Sequence, residues 1–252
     1  MPRGPGGSLA FDRMADRYDE TRGGLERGEL LGGYIAPHLR PGPVLEVGVG
    51  TGVIALALGG HGHHVVGVDL SLPMLARARP RLGARVALAD GNHLPVATGA
   101  VPNVVIVWVL HLVPDITALL AEAGQVTAAG GRIAVIPAGG EWEPDAIGDI
   151  VVPMADALRP PQDRPTDIEA AGPAAGLTIV ASEPTPDWET VESPDDVART
   201  IESRQWSSLW DLSDDRWAAL VEPVLTALRS LPDHDTPRAR RAHDHVVVLT
   251  PA

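Results

Sequence analysis

The chain of 252 residues contains neither cysteine nor lysine. Without cysteine there is no disulfide, no thiolate metal site and no thiol nucleophile. Without lysine there is no Schiff-base chemistry and no phosphate-loop lysine. Aromatic residues make up only 4%, and the tryptophans gather late, at Trp142, Trp206, Trp210 and Trp217 among others. Positive charge is scarce: the net charge is −13. A nucleic-acid binder needs a basic face to release counterions from the phosphate backbone, so nucleic acid is excluded as the main partner. The acidic surface reads as a solvated one. Long apolar runs are missing too. The stretch Val104 to Val113 is too short to span a bilayer. The Gly/Pro-rich start, Met1 to Leu9, lacks the apolar stretch of a signal peptide. The expectation is a cytoplasmic protein with no membrane insertion.

Hydrophobic residues reach 44%, enough to bury a sizeable core. The length suits one large α/β domain, or one domain with a cap. Met1 to Ser8 reads as a tail. Leu9 to Gly33 carries Phe11, Met14, Tyr18 and Leu25 at the spacing of a short amphipathic helix, and Pro41-Gly42-Pro43 is a breaker. Strands are expected at Val44–Val47, Val65–Val68, Arg85–Ala89, Val104–Val109 and Arg132–Ile136, with helices between them. Their alternation predicts βαβ units, and their apolar runs suit strands buried on both faces. A sixth strand is expected at Leu177–Ala181 and a last one at His245–Thr250.

Ala138 to Arg164 is rich in Gly, Pro and acids, and Ser193 to Leu231 reads as helical in two segments. The expected fold is therefore α/β: a Rossmann-like, seven-stranded, mostly parallel sheet with helices on both faces. An N-terminal cap helix precedes it and a helical insertion precedes the last strand. Residues 1–40 form the tail and cap helices. Residues 41–252 form the ligand-binding domain, with the insertion at about 185–240. That insertion either folds over the sheet's ligand edge or forms a side layer.

Three successive strand ends carry ligand-type residues. Gly48, Gly50 and Gly52 let the backbone turn tightly and approach a ligand, beside the free N–H groups of a helix start. Asp69 ends the second strand, where a carboxylate can accept both hydroxyls of a ribose. Asp90-Gly91 ends the third, where a carboxylate can accept from an exocyclic amine. Each alone is equally a turn or cap; together they outline a nucleoside site. His111 follows the fourth strand and is a candidate general base in its neutral form, or else a structural hydrogen-bonding group. His61, His63 and His64 lie at the opposite edge of the sheet, and no metal is expected. Trp142, Trp206 and Trp210 line a substrate pocket or pack a core, and Arg204 either meets an acidic substrate group or is an exposed helical arginine.

From Phe11 to Pro137, and more loosely beyond, the chain resembles class I S-adenosylmethionine (SAM)-dependent methyltransferases of the small-molecule branch. That branch includes the ubiquinone and menaquinone C-methyltransferases. Glu46-Val47-Gly48-Val49-Gly50-Thr51-Gly52 resembles their first motif. Val66-Gly67-Val68-Asp69-Leu70-Ser71 with Pro73-Met74-Leu75 resembles the second. Asp90-Gly91-Asn92-His93-Leu94-Pro95 resembles the third-strand loop, Trp108-Val109-Leu110-His111 the end of the fourth strand, and Phe11 to Asp19 the N-terminal cap helix. The resemblance implies roles. Glu46 would hold the glycine loop and the methionine ammonium side of SAM. Gly48, Gly50 and Gly52 would make room. Asp69 would take the ribose hydroxyls, with Leu70 and Met74 against the adenine. Asp90 would read the adenine amine beside Gly91. Tyr18 would close over the methionine, and Trp108 would belong to the cofactor site. Two departures stand out: Val49 between the first glycines, and Ala97 to Asn103 in place of an aromatic-acid run.

The implied activity is methyl transfer from SAM to a small, mostly apolar acceptor in secondary metabolism, at an O or C nucleophile, by a monomer or homodimer. The alternative is a SAM-binding enzyme of the same fold that catalyses decarboxylation, hydroxylation or cyclisation. A nicotinamide-dependent oxidoreductase is opposed by Val53, which stands where the dinucleotide spacing requires glycine.

Overall fold

A computed structural model describes residues 12, 15–16, 18–21, 23–158 and 164–252. Phe11, Arg13, Met14 and Arg17, on which much of the expected cap helix rested, lie outside the described residues, as does the tail. The first elements are α1 (Tyr18–Thr21), α2 (Gly24–Ile35), β1 (Val44–Val47), α3 (Val53–Gly60), β2 (Val65–Asp69), α4 (Leu72–Leu82), β3 (Val86–Leu88), β4 (Val101–Val107), α5 (Ile116–Val126) and β5 (Thr127–Ile136). Then come β6 (Glu141–Trp142), α6 (Ala146–Leu158), α7 (Pro165–Ala174), β7 (Leu177–Pro184), β8 (Trp188–Glu192), α8 (Pro194–Glu202), α9 (Asp214–Leu220), α10 (Glu222–Arg229), β9 (Arg238–His243) and β10 (His245–Pro251).

The chain divides into two compact units. The first, within 1–138, 162–185 and 245–252, holds a seven-stranded sheet in the order β3-β2-β1-β4-β5-β10-β7. It is parallel except for β10, which runs antiparallel to both neighbours. Alternate strand residues face opposite sides. Leu45, Val47, Val104, Ile106, Ile133 and Val135 pack on one side with Leu119, Leu120 and Ile168. Val44, Val105, Val107, Ala134 and Ile136 pack on the other with Leu31, Ile35, Leu58 and Leu75. Burial on both faces is why these strands read as continuous apolar runs. The same alternation puts Glu46 on the side of Val44.

The helix over that side is α2. Its buried face is Gly28, Leu31, Gly32 and Ile35, while Leu25, expected on the apolar stripe, is exposed. A Cβ at Gly28 would lie 2.9 Å from both Cβ and O of Val53, and one at Gly32 would lie 2.6 Å from Ala57 Cβ. The two glycines let α2 settle against α3.

β4 starts three residues earlier than expected, and its buried Asn103 accounts for this. The Asn103 amide accepts from Arg40 N–H at 2.7 Å and donates to the carbonyls of Arg40 and Pro43 at 2.9 and 3.2 Å. A polar residue this well paired is accommodated inside a central strand.

The second unit, within 139–161 and 186–244, has its own three-stranded antiparallel sheet, β6-β9-β8. Its core joins Ile147 and Met154 of α6 to Val197 and Ile201 of α8 and Val224 and Leu228 of α10. Two expectations are corrected here. The Gly/Pro-rich stretch after Ile136 contains the 13-residue helix α6, with Pro153 inside it. The region before the last strand also contains β8 and β9, not helices alone. β9 escapes an apolar-alternation search because its two buried positions are Arg240 and the small Ala242. Among the described residues, no helix is long and apolar enough to cross a membrane.

Candidate functional site

The loop after β1 takes positive φ at Gly48 (75°), Gly50 (53°) and Gly52 (82°), a region that favours glycine. Their reasons differ. A Cβ at Gly48 would lie 2.3 Å from Val109 Cγ2, whereas nothing lies within 4 Å of one at Gly50. Gly48 is demanded by the fold; Gly50 leaves space open. The N–H groups of Gly48 and Val49 donate to Val68 O at 2.8 and 2.9 Å. Asp69 completes the tether. Its Oδ2 accepts from Gly50 N–H and its Oδ1 from Ser71 N–H, both at 2.8 Å. Burial pushes the Asp69 carboxyl up, the backbone N–H groups oppose this, and the nearby Asp12 charge adds to it.

Glu46 lies under the same loop, 2% exposed. Burial pushes its carboxyl well up, the Asp69 charge adds to this, and the N–H of Ala55 draws it partly back. Glu46 Oε2 and Trp108 Nε1 are sealed from solvent, and neither has a hydrogen-bond partner. Buried polar atoms are nearly always paired. One is an acceptor and the other a donor, and both residues line one cavity of about 40 Å³. Tyr18, Arg27, Gly48, Gly50, Thr51 and Val107 line it too. The Arg27 guanidinium sits 5.7 Å from the Trp108 ring centre, within cation–π range.

The N-terminal residues are clasped to this loop. Thr51 Oγ1 donates to Asp19 Oδ1 at 2.5 Å, and Arg81 donates to Asp19 Oδ2 at 2.6 Å and to Thr51 O at 2.7 Å. Arg77 pairs with Asp16, and Ser71 Oγ donates to Asp12 at 2.6 Å.

Residues 45–135, which contain the loop, Glu46, Asp69 and Trp108, match the family model described as a methyltransferase domain. Over those residues the chain is similar to a methyltransferase domain. A demethylmenaquinone methyltransferase of Parafrankia sp. is 38% identical over 151 residues, covering 50% of this chain and 59% of that protein. The chain thus spans less than two thirds of that relative's length. Among solved structures, a [4+2]-cyclase superposes with a TM-score of 0.62 at 17% identity, covering 97% of this chain and 96% of that one. Geranyl diphosphate C-methyltransferase from Streptomyces coelicolor superposes with a TM-score of 0.53 at 17% identity, covering 88% and 78%. At such identities the superpositions speak for the fold.

The structure brings Tyr18, which precedes the matched segment, and Glu46, Gly48, Gly50 and Trp108 within it to one cavity, and ties Asp69 to it through Gly50. The other expected residues lie outside that lining. Gly52 is the N-cap of α3, packed near Leu82 and Ala78. Leu70, just past Asp69, is 57% exposed, while Met74 is buried in the first turn of α4. Asp90 ends β3's loop and accepts from Asn92 N–H and Nδ2 at 2.9 and 3.0 Å. Gly91 has a packing reason: a Cβ there would lie 2.8 Å from Val47 and 2.9 Å from Leu119. His111 sits half-buried in the 3-10 turn Leu110–Leu112.

Of the open alternatives, His63 Nδ1 lies 3.1 Å from Gly42 O, which gives it a structural partner. Arg204 is not an exposed helical arginine. It has φ 51°, donates to the carbonyls of Leu209 and Leu212, and covers the Trp217 ring at 4.2 Å. Trp210 Nε1 donates to Arg204 O, Trp206 packs against the second unit's core, and Trp142 packs edge-on against Trp188. Asp19, Arg27, Thr51 and Arg81 were missed by sequence reasoning. Thr51 had a signal, as the hydroxyl inside the glycine loop. The others meet it only through tertiary contacts that periodicity does not register.

Proposed function

We propose that the chain is a SAM-dependent methyltransferase that acts on a small, mostly apolar acceptor at a C or O nucleophile. The observation that carries this is Glu46: a buried carboxylate with one oxygen unpaired, under a glycine loop held open at Gly50 by Asp69. That pair of acceptors fits a ligand joining an ammonium to a ribose. Support also comes from the relative of 38% identity, a quinone-precursor methyltransferase by name.

In this reading Glu46 takes the ammonium and Gly48, Gly50 and Gly52 keep the backbone clear. Asp69 takes ribose hydroxyls with the lone-pair capacity that its backbone bonds leave. Leu70 and Met74 flank the adenine, and Asp90, beside Gly91, accepts from its amine. Tyr18 and Trp108 close over the methionine end. When bound, SAM supplies a methyl group already activated by a sulfonium. The protein's share is therefore alignment and exclusion of water. Where the acceptor must lose a proton, His111 is the base, carried by the 3-10 turn that follows β4.

The test is incubation of the purified chain with methyl-labelled SAM and a series of quinols and phenols, read by mass spectrometry. Label in a product supports the proposal. Bound SAM with no labelled product from any acceptor favours the second reading, a non-methylating reaction on this fold such as decarboxylation, hydroxylation or cyclisation. The specific observation behind that reading is the fold shared with a [4+2]-cyclase over nearly the whole chain.

A further inference from the structure

We propose that Arg40 and Arg132 form a binding site for a phosphoryl group at the sheet edge opposite the glycine loop. The site is independent of the SAM reading and uses none of its residues.

The two guanidinium groups meet on one atom. Gly130 O accepts from Arg40 Nε at 3.2 Å and from Arg132 Nη1 at 3.2 Å, and Arg132 Nη1 also donates to Gly131 O at 3.1 Å. The other nitrogens of both forks have no acceptor among the described residues, and neither arginine forms an ion pair there. Two like charges side by side repel. Burial, and then the charge of Arg40, pull the Arg132 pKa below the usual arginine value, with no carboxylate to offset them.

A buried amide sets the arrangement. Asn103 is fully buried in β4 and lies directly across from Arg132 of β5. Its side chain accepts from Arg40 N–H at 2.7 Å and donates to Arg40 O at 2.9 Å. Both backbone polar groups of Arg40 are thus fixed by the strand neighbour of Arg132. Burying an amide costs free energy unless it is paired, and here the pairing places an arginine. Gly130, at φ 71°, makes the turn that presents the shared carbonyl.

The surroundings have one sign. The chain enters the parallel strands β1 to β5 along this edge through residues 40–43, 61–64, 83–85, 95–100 and 127–132. These segments hold Arg40, Arg85 and Arg132 and no Asp or Glu, in a chain with 33 acidic residues. Arg85 likewise bonds carbonyls, those of Leu82 and Val65. Asp69 and Asp90 stand at the other edge. A positive patch on an acidic protein draws small anions. Planar guanidinium forks match the oxygens of phosphate and of carboxylate. A carboxylate has one planar face of oxygens and satisfies one fork. A tetrahedral phosphoryl group has oxygens and charge enough for two.

The test is a titration of the full chain with inorganic phosphate at constant ionic strength, read by phosphorus NMR line broadening. Wild type is expected to bind saturably. R40Q and R132Q are each expected to weaken binding by roughly tenfold or more, the loss of a charge-assisted hydrogen bond. R79Q removes the same charge from an exposed position on α4 and is expected to change affinity by about twofold at most, because distant charges are screened. Wild type without saturable binding overturns the proposal, and so does R79Q weakening phosphate as much as R132Q does. If R132Q fails to fold, R40Q decides: unchanged affinity overturns the site and a tenfold loss upholds it. If neither folds, backbone amide shifts of wild type on adding phosphate decide. Shifts centred on residues 40, 103 and 130–132 uphold the site, and shifts centred elsewhere overturn it. Competition by phenyl phosphate then names the source. Tighter binding than phosphate assigns a phosphorylated molecule, weaker binding assigns the free anion, and both uphold the site.

Discussion

Asp69 holds Gly50: the carboxylate ending β2 accepts the loop N–H at 2.8 Å. The acid assigned to a ribose thus also fixes the loop that admits the cofactor. D69N places an N–H donor where an acceptor is needed by the backbone N–H groups that face Asp69. It should cost about 1–3 kcal/mol of stability and also weaken S-adenosylhomocysteine. Urea unfolding and calorimetry check this. A loss of stability with affinity intact would place the ribose elsewhere.

Gly48 and Gly50 separate fold from function. Both have positive φ, so alanine costs about 1–2 kcal/mol at either site from backbone strain. Only at Gly48 does the new Cβ also meet Val109. G48A should therefore be the less stable variant. G50A should stay folded and lose cofactor affinity, because its methyl group projects into the open space. Thermal melts paired with binding isotherms distinguish them.

Glu46 predicts a proton count. Burial first, then the charge of Asp69, raises its pKa in the folded, ligand-free chain. The folded state then binds more protons than the unfolded one above the ordinary Glu range. In that window Glu46 lowers stability as pH rises, until the folded pKa is passed. A bound ammonium favours the ionised carboxylate and pulls the pKa back. Binding should release a proton and tighten as pH rises towards the raised folded pKa. Calorimetry in buffers of different ionisation enthalpy measures the release, and E46Q should abolish it.

The clasp of Asp19 to Thr51 and Arg81 predicts kinetics. The cavity beneath it, about 40 Å³, has room for about one water and none for an amino acid. Binding must therefore open the clasp. D19N should speed cofactor association several-fold in stopped-flow fluorescence, and salt should move the wild type towards the variant. Rates identical in both would show that the clasp is no gate.

In the second unit, Arg240 is buried between Asp145, at 2.6 and 3.2 Å, and Glu192, at 2.6 Å, and covers the Trp142 ring at 4.3 Å. R240M leaves two carboxylates uncompensated and should cost about 3–5 kcal/mol. Burial works against the Asp145 carboxylate, but the Arg240 bonds and charge and the Gly148 N–H hold its pKa below the ordinary value. Its contribution is present above the ordinary Asp range and is lost as pH falls through the folded pKa. Hydrogen exchange should quicken within 139–161 and 186–244 and not in the seven-stranded sheet.

These cases show what the sequence made legible. The sheet could be read because its strands are apolar on both faces and end in glycine or acid at Gly48, Asp69 and Asp90. Helix α6 could not, because Gly148 and Pro153 look like breakers. β9 could not, because one of its two inward residues is an arginine neutralised from other elements and the other is only an alanine. At the site, Glu46 and Asp69 stood in a recognisable pattern. Arg27 and Asp19 did not, because their importance arises only when α1 and α2 pack against the glycine loop.

The most direct measurement is an experimental structure of the full chain with S-adenosylhomocysteine bound. The account predicts its amino-acid end among Glu46, Arg27 and Trp108 and its ribose on Asp69. A nucleoside bound at another edge of the sheet, or an amino-acid end directed away from Glu46, would contradict it.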